Sequence, residues 1–176
     1  MTLLIFPVAI FFAYLALSVG KVLLSRSTLL HGPVFVPSTH AMQHTMCKLS
    51  ALKPNQLAID LGSGDGSLVI ALANAYPKNS IVGIEINPLL VLQSRKKIRE
   101  VGLDHRISIL ASSMWNIDLQ TYDVVLIYGA QQIMPKLEKK VRAEMKPGSK
   151  IVSSVFTFPT LTPTRTTECV YQYVLH

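Results

Sequence analysis

The spacing of apolar and polar positions divides this chain into three stretches. From Leu3 to Gly20 no side chain is charged. With Val22, Leu23 and Leu24, and Lys21 free to snorkel, the run reaches roughly 22 residues, or ~33 Å as a helix, enough to span a bilayer. Pro7 falls in the first turns, where a helix tolerates it best. Residues 25–37 form a polar-then-apolar linker broken at Gly32-Pro33 and Val36-Pro37. From 38 to 176 two periods alternate. A helical spacing runs through Met42, Met46, Leu49 and Leu52, with Ser38 or Thr39 as its N-cap and Lys53-Pro54 as its stop. Short apolar runs at Leu57–Ile59, Ile81–Ile84, Ile107–Leu110, Asp123–Tyr128 and Lys150–Phe158 read as strands, and Glu168–Leu175 alternates like a strand returning on the last of them. Helical patterns lie between them: Leu68, Ala71, Leu72, Ala75; then Leu89 to Val101; then Ile133, Leu137, Val141, Met145, with Pro135 early and Lys146-Pro147-Gly148 as a stop. This order predicts an α/β domain at 38–176: a doubly wound, Rossmann-like, mostly parallel sheet with an antiparallel edge, preceded by a transmembrane helix at 1–24.

A cleaved signal peptide is the rival for the first stretch, because Ala16-Leu17-Ser18 resembles a small-residue cleavage site. No Lys or Arg precedes the run, however, and the run is long for a signal core. Lys21, Arg26 and His31 follow it, so the positive-inside rule places the domain on the matrix or cytoplasmic side.

The candidate chemistry centres on Leu57 to Gly66. A short strand drops into a loop with Gly62, Gly64 and Gly66 and continues into a helix, an arrangement that brings backbone N–H groups close to a ligand. The next strand ends in Glu85, where such units place an acid against a ribose diol. The third glycine arrives one position early for a dinucleotide loop, since Ser67 holds that place. Asp60 precedes the loop and Asp65 lies within it. Two carboxylates favour a cationic cofactor over a pyrophosphate, so Asp60, Gly62, Ser63, Gly64, Asp65, Gly66 and Glu85 read as an S-adenosylmethionine site. An unusual phosphate-binding loop is the alternative. Past the third strand, Ser113 is placed to meet the adenine amine and Met114 or Trp115 to cover the ring; a core role for Trp115 competes equally.

Composition adds four points. The chain has 176 residues with a net charge of +7, and three of its acids are already assigned to the cofactor. Arg95, Lys96, Lys97 and Arg99 form a basic helix face, read either as solvated or as a contact for anionic headgroups. His40 and His44 have metal-pair spacing but no third ligand, so no metal is expected. Cys47 and Cys169 share no metal spacing and read as buried thiols of a reducing compartment.

Across 38–176 the chain resembles the seven-β-strand (class I) S-adenosylmethionine-dependent methyltransferases. The resemblance rests on Asp60-Leu-Gly-Ser-Gly-Asp-Gly66, Gly83-Ile-Glu85 and Lys146-Pro-Gly148. A narrower likeness rests on Gly32-Pro-Val-Phe-Val-Pro-Ser38, Glu85-Ile-Asn-Pro88, Met114-Trp115, Met134-Pro-Lys-Leu-Glu138 and Phe156-Thr-Phe-Pro159 behind an apolar N-terminus. These resemble a family of membrane-anchored protein-lysine methyltransferases whose eukaryotic members sit in the mitochondrial inner membrane and modify the ADP/ATP translocase or the ATP synthase c-subunit. Where that family tends to have Arg before its Phe-Pro segment and an aromatic after it, this chain has Val155 and Leu161. The resemblance implies a lysine on a membrane protein as acceptor and a location in the inner membrane (eukaryote) or the cytoplasmic membrane (prokaryote). It also implies that acceptors approach the loop Tyr128 to Gln132. Tyr128 and Gln131 are then candidates to orient the amine, beside a plain role in the turn and helix cap. The motif used for exocyclic base amines is absent, so no nucleic acid is expected. Methyl transfer from a sulfonium is an in-line displacement that needs alignment and a neutral amine. Deprotonating lysine at pH ~7.4 costs about 4 kcal/mol, which a desolvating channel lowers. A lipid or quinone methyltransferase and a non-catalytic cofactor-binding module remain as alternatives.

Overall fold

The computed structural model describes residues 39–176, so the apolar run, the linker and the expected anchor lie outside the described residues. Among the described residues no helix is long and apolar enough to cross a membrane. In chain order the elements are α1 His40–Ser50, β1 Leu57–Leu61, α2 Ser67–Ala75, β2 Ser80–Glu85, α3 Pro88–Glu100, β3 Ile107–Ala111, β4 Val124–Ile127, α4 Met134–Glu144, β5 Lys150–Ser154, β6 Arg165–Thr167 and β7 Val170–Val174. Short 3₁₀ turns at Met114–Asn116 and Gln131–Ile133 lead out of β3 and into α4.

The seven strands form one sheet in the order β3-β2-β1-β4-β5-β7-β6. β1 to β5 are parallel, β7 runs antiparallel to β5, and β6 pairs antiparallel with β7. The expected doubly wound sheet with an antiparallel edge is therefore present. One core packs α1, α2 and α3 against Ala58, Ile81, Val124, Leu126 and Val152. The other packs α4 against Ile59, Leu61, Ile84, Val125, Ile127 and Ile151. Alternate residues of the same strands thus serve opposite faces, and β4, in the middle of the sheet, is a continuous apolar run, Val124-Val-Leu-Ile127.

Local chemistry sets the helix starts. Thr39 caps α1 by accepting from the Met42 N–H at 3.3 Å. Asn87 caps α3 through Leu89 N–H at 3.0 Å, with Pro88 at the first helical position. The end of α1 is tied to the sheet: Lys150 Nζ donates to the Ala51 carbonyl at 2.6 Å, and Gln172 Nε2 donates to that of Leu49.

Three expectations need correction. The fifth strand does not reach Phe158; it stops at Ser154, because Val155 adopts φ +68° and its N–H turns to the Cys169 carbonyl at 2.7 Å. β6 was not foreseen, since its three residues are exposed and polar and it exists only by pairing with β7. Cys169 is exposed in the turn between β6 and β7, while Cys47 is buried as expected. His40 and His44 are exposed on α1, and no group of three metal ligands occurs among the described residues.

Candidate functional site

Parallel strands β1 to β4 point their carboxyl ends to one edge, beside the point at which strand order reverses, the place where open α/β sheets form their binding crevice. β1 delivers Asp60 there, 3% exposed, one register step from the glycine loop. The loop bends through Gly62, Gly64 and Gly66, all with positive φ, at +93°, +56° and +81°. A Cβ at Gly62 would meet nothing within 4 Å, so the bend is open on that side. At Gly66 a Cβ would lie 2.9 Å from that of Ser94, so this glycine lets α2 start hard against α3.

β2 delivers Glu85, whose carboxylate organises the loop. Oε2 accepts from the Gly64 N–H at 2.9 Å, and Oε1 accepts from Ile86 and Asn87 N–H groups at 2.9 and 2.8 Å. A carboxylate has about four acceptor positions, so one, on Oε2, is left for a hydroxyl. Asp60 has no hydrogen-bond or ion-pair partner among the described residues. Burial first, and the neighbouring Glu85 second, push its carboxyl up to about 7. Two buried acids with no cationic partner among the described residues leave this end of the sheet short of positive charge.

The remaining predicted residues divide. The Ser63 hydroxyl turns inward over Gly83, buried and without a partner among the described residues, while its N–H donates to the Ile84 carbonyl at 2.8 Å and its carbonyl accepts from Gly66 N–H at 2.9 Å. Asp65 turns away to accept from Ser67 N–H at 3.1 Å, Ser67 Oγ at 2.8 Å and Lys97 Nζ at 3.0 Å. Burial raises its carboxyl, but those donors outweigh it and leave the group below its ordinary value. Ser113 ends the β3 loop and caps the 3₁₀ turn through Trp115 N–H at 3.4 Å. Met114 and Trp115 pack onto the α4-side core, and Lys136 Nζ lies 4.1 Å from the indole centroid, covering one face. Tyr128 is half-buried just past β4, and Gln131 is exposed with its carbonyl accepting from Met134 N–H.

The wall beyond β5 was missed. Phe156 N–H donates to the Ser154 carbonyl at 2.8 Å, closing a γ-turn centred on Val155. Ser153 Oγ holds the Phe156 carbonyl at 2.8 Å. Glu138 of α4 accepts from Thr160 N–H at 3.0 Å, from Thr160 Oγ1, and from Arg142 Nε at 3.0 Å. Phe158 packs edge-on against Tyr173 at 5.0 Å. The i,i+4 spacing of Glu138 and Arg142 was visible in the sequence; their partner on the β5 loop was not.

The profile described as the ANTKMT methyltransferase domain matches residues 60–165, more than half of the chain and from Asp60 to the start of β6. The chain belongs to this family. Family members this chain resembles include the ATP synthase c-subunit lysine N-methyltransferase of Rattus norvegicus, 37% identical over 134 residues, and the adenine nucleotide translocase lysine N-methyltransferase of Mus musculus, 31% identical over 122. The matches cover 76% and 67% of this chain but only 60% and 53% of those proteins, so the chain spans little more than half their length. Among solved structures, an RNA methyltransferase from Salinibacter ruber in complex with S-adenosyl-L-homocysteine is 29% identical, with a TM-score of 0.76 over 80% of this chain and 94% of that one.

Proposed function

We propose that this protein is an S-adenosylmethionine-dependent protein-lysine N-methyltransferase acting on a membrane protein. The observation that carries the proposal is Asp60, buried beside Glu85 with no cationic partner among the described residues, under a glycine bend that is open at Gly62. That donor set suits a cofactor with positive charge and a ribose diol, and it repels a pyrophosphate. Asp60 faces the cationic part, the free lone pair of Glu85 takes a ribose hydroxyl, and the Gly62–Gly64 backbone lines the ligand. Ser113, Met114 and the open face of Trp115 border the base. Asp65 serves the loop from behind, through Lys97. The bound donor supplies a methyl group on a sulfonium. The chain's own work is alignment, with Tyr128 and Gln131 at the mouth beside the wall from Val155 to Thr160, and exclusion of water so that the lysine amine loses its proton at lower cost.

The curated relatives support a lysine acceptor on a membrane protein, and the apolar stretch at 1–24 supports a single-pass anchor with the domain on the matrix or cytoplasmic side. The test incubates full-length protein with isolated membranes and S-adenosylmethionine labelled in its methyl group. Acid-stable methyllysine in membrane polypeptides is the expected product. Label only in solvent-extractable lipid would replace the acceptor with a small molecule. Label only in RNA would favour the acceptor class named for the Salinibacter protein. Calorimetry provides the second arm: cofactor affinity must fall at least tenfold when Asp60 and Glu85 are both replaced by alanine.

A further inference from the structure

We propose that the outer face of α3 docks this domain on an anionic lipid surface. The inner face of α3, Val91, Ser94 and Ile98, is buried against the sheet. The outer face breaks the usual pattern, because Leu89 and Leu92, one turn apart, are 61% and 63% exposed. They are the two most exposed of the large apolar side chains exposed among the described residues. Arg95 fixes α3 to the edge strand, its guanidinium donating to the Ile109 carbonyl at 2.7 and 3.2 Å. Leu110, 41% exposed, is the next residue of that strand.

Beyond the leucines the same face becomes basic. Arg95 bonds only a carbonyl, and neither it nor Arg99 has an acidic partner among the described residues. Lys96 reaches Glu100 only at 3.7 Å, with both side chains mostly in water, so that pair neutralises little. Lys97 belongs to Asp65 and is not part of the face. From Leu89 to Lys96 the axial distance is about 10 Å. An apolar tip with a cationic collar one to two turns behind it matches the depth order of an anionic bilayer surface, acyl boundary and then phosphates.

The helix end is also prepared for a poorly hydrated setting. Asn87 accepts from Leu89 N–H at 3.0 Å and Pro88 has no N–H, so these positions leave no donor stranded. A protein partner fits less well: a stable interface covers about 800 Å² per side, far more than two leucines and three dispersed bases present. Because α3 begins where β2 ends at Glu85, docking by this tip turns the crevice edge toward the membrane. The inference does not need methyl transfer, and its test contains no donor.

The test uses the full chain with Cys169→Ser, which leaves only buried Cys47, and an environment-sensitive fluorophore on Leu92→Cys. Leu89→Cys is the replicate, and Val101→Cys, exposed at the far end of α3, is the control. The protein is reconstituted into phosphatidylcholine vesicles with or without about 30% phosphatidylserine. The tip positions are expected to blue-shift and to be quenched by lipid-borne quenchers in anionic vesicles only, the control staying aqueous. Lys96→Glu with Arg99→Glu should return the signal to the neutral-vesicle level. A tip that stays aqueous in anionic vesicles overturns the proposal. So does an equal shift in neutral vesicles, or one already present in detergent, where the chain itself or a second copy would be the cover. A shift that appears only when the vesicles carry membrane proteins also overturns it.

Discussion

Asp60 destabilises the free protein, and the sign of its effect follows from its shift. Below its ordinary value of 3.8 it is protonated in both folded and unfolded chains and costs nothing. Between there and about 7 the unfolded chain has released the proton while the folded one still holds it, so stability falls as pH rises. Above that window the penalty levels off at about 4 kcal/mol. Asp60→Asn should therefore stabilise the free protein more at pH 8 than at pH 5, by about 2–3 kcal/mol, while weakening the cofactor; urea melts at the two pH values measure it. Equal gains at both would mean that Asp60 is not desolvated as described. Gly83 poses a packing test under the same loop. A Cβ there would meet Ile109 Cδ1 at 2.6 Å and Ser63 Oγ at 2.7 Å. Gly83→Ala should cost about 1–3 kcal/mol. Ser63→Ala alone should be near neutral, since it removes a hydroxyl that has no partner among the described residues, and it should recover part of the Gly83→Ala loss in the double variant.

Elements were legible where apolar period and turn chemistry agreed. β1, β2, β3 and β4 and all four helices fall within a few residues of their expected bounds, because each of these strands carries a short apolar run and the helices between them keep a 3.6-residue apolar period. The end of β5 was illegible: Val155, Phe156 and Phe158 continue the strand's apolar run, and only the bonds to Cys169 and Ser154, one of them from another strand's turn, reverse the chain. At the site, Asp60 and Asp65 look equivalent in the sequence. The difference between them is Lys97, which lies a whole βα unit away and reaches Asp65 from α3. The wall after β5 likewise depends on Glu138, buried on α4. Burial raises its carboxyl, but the Thr160 donors and Arg142 more than reverse this and hold it below its ordinary value. Its contribution is therefore present above about pH 4.5 and lost as pH falls through the lower folded value. Glu138→Ala should cost about 2–3 kcal/mol at pH 7 and progressively less as the pH is taken down through the lowered folded value, by denaturant melts, and should raise hydrogen exchange at Thr160.

At the scale of the whole molecule, cofactor binding, protonation and folding form one linked system. A ligand that binds only the folded crevice adds about 2.7 kcal/mol at a hundredfold excess over its Kd. For a domain of this size that corresponds to a rise in Tm of about 10 °C. To face a cation Asp60 must first release its proton, so below about pH 7 each unit of acidification should weaken S-adenosylmethionine about tenfold. The apo protein loses stability over the same rise in pH, so the bound and free melting curves should diverge from pH 6 to pH 8 rather than shift together. Thermal melts of the full chain in detergent, at one fixed cofactor concentration, read this directly. Asp60→Asn should give a small shift that does not vary with pH. A wild-type shift that is equally large at pH 6 and pH 8 would mean that the cofactor's positive charge does not lie against Asp60, and the crevice would then need a different ligand to account for its two acids.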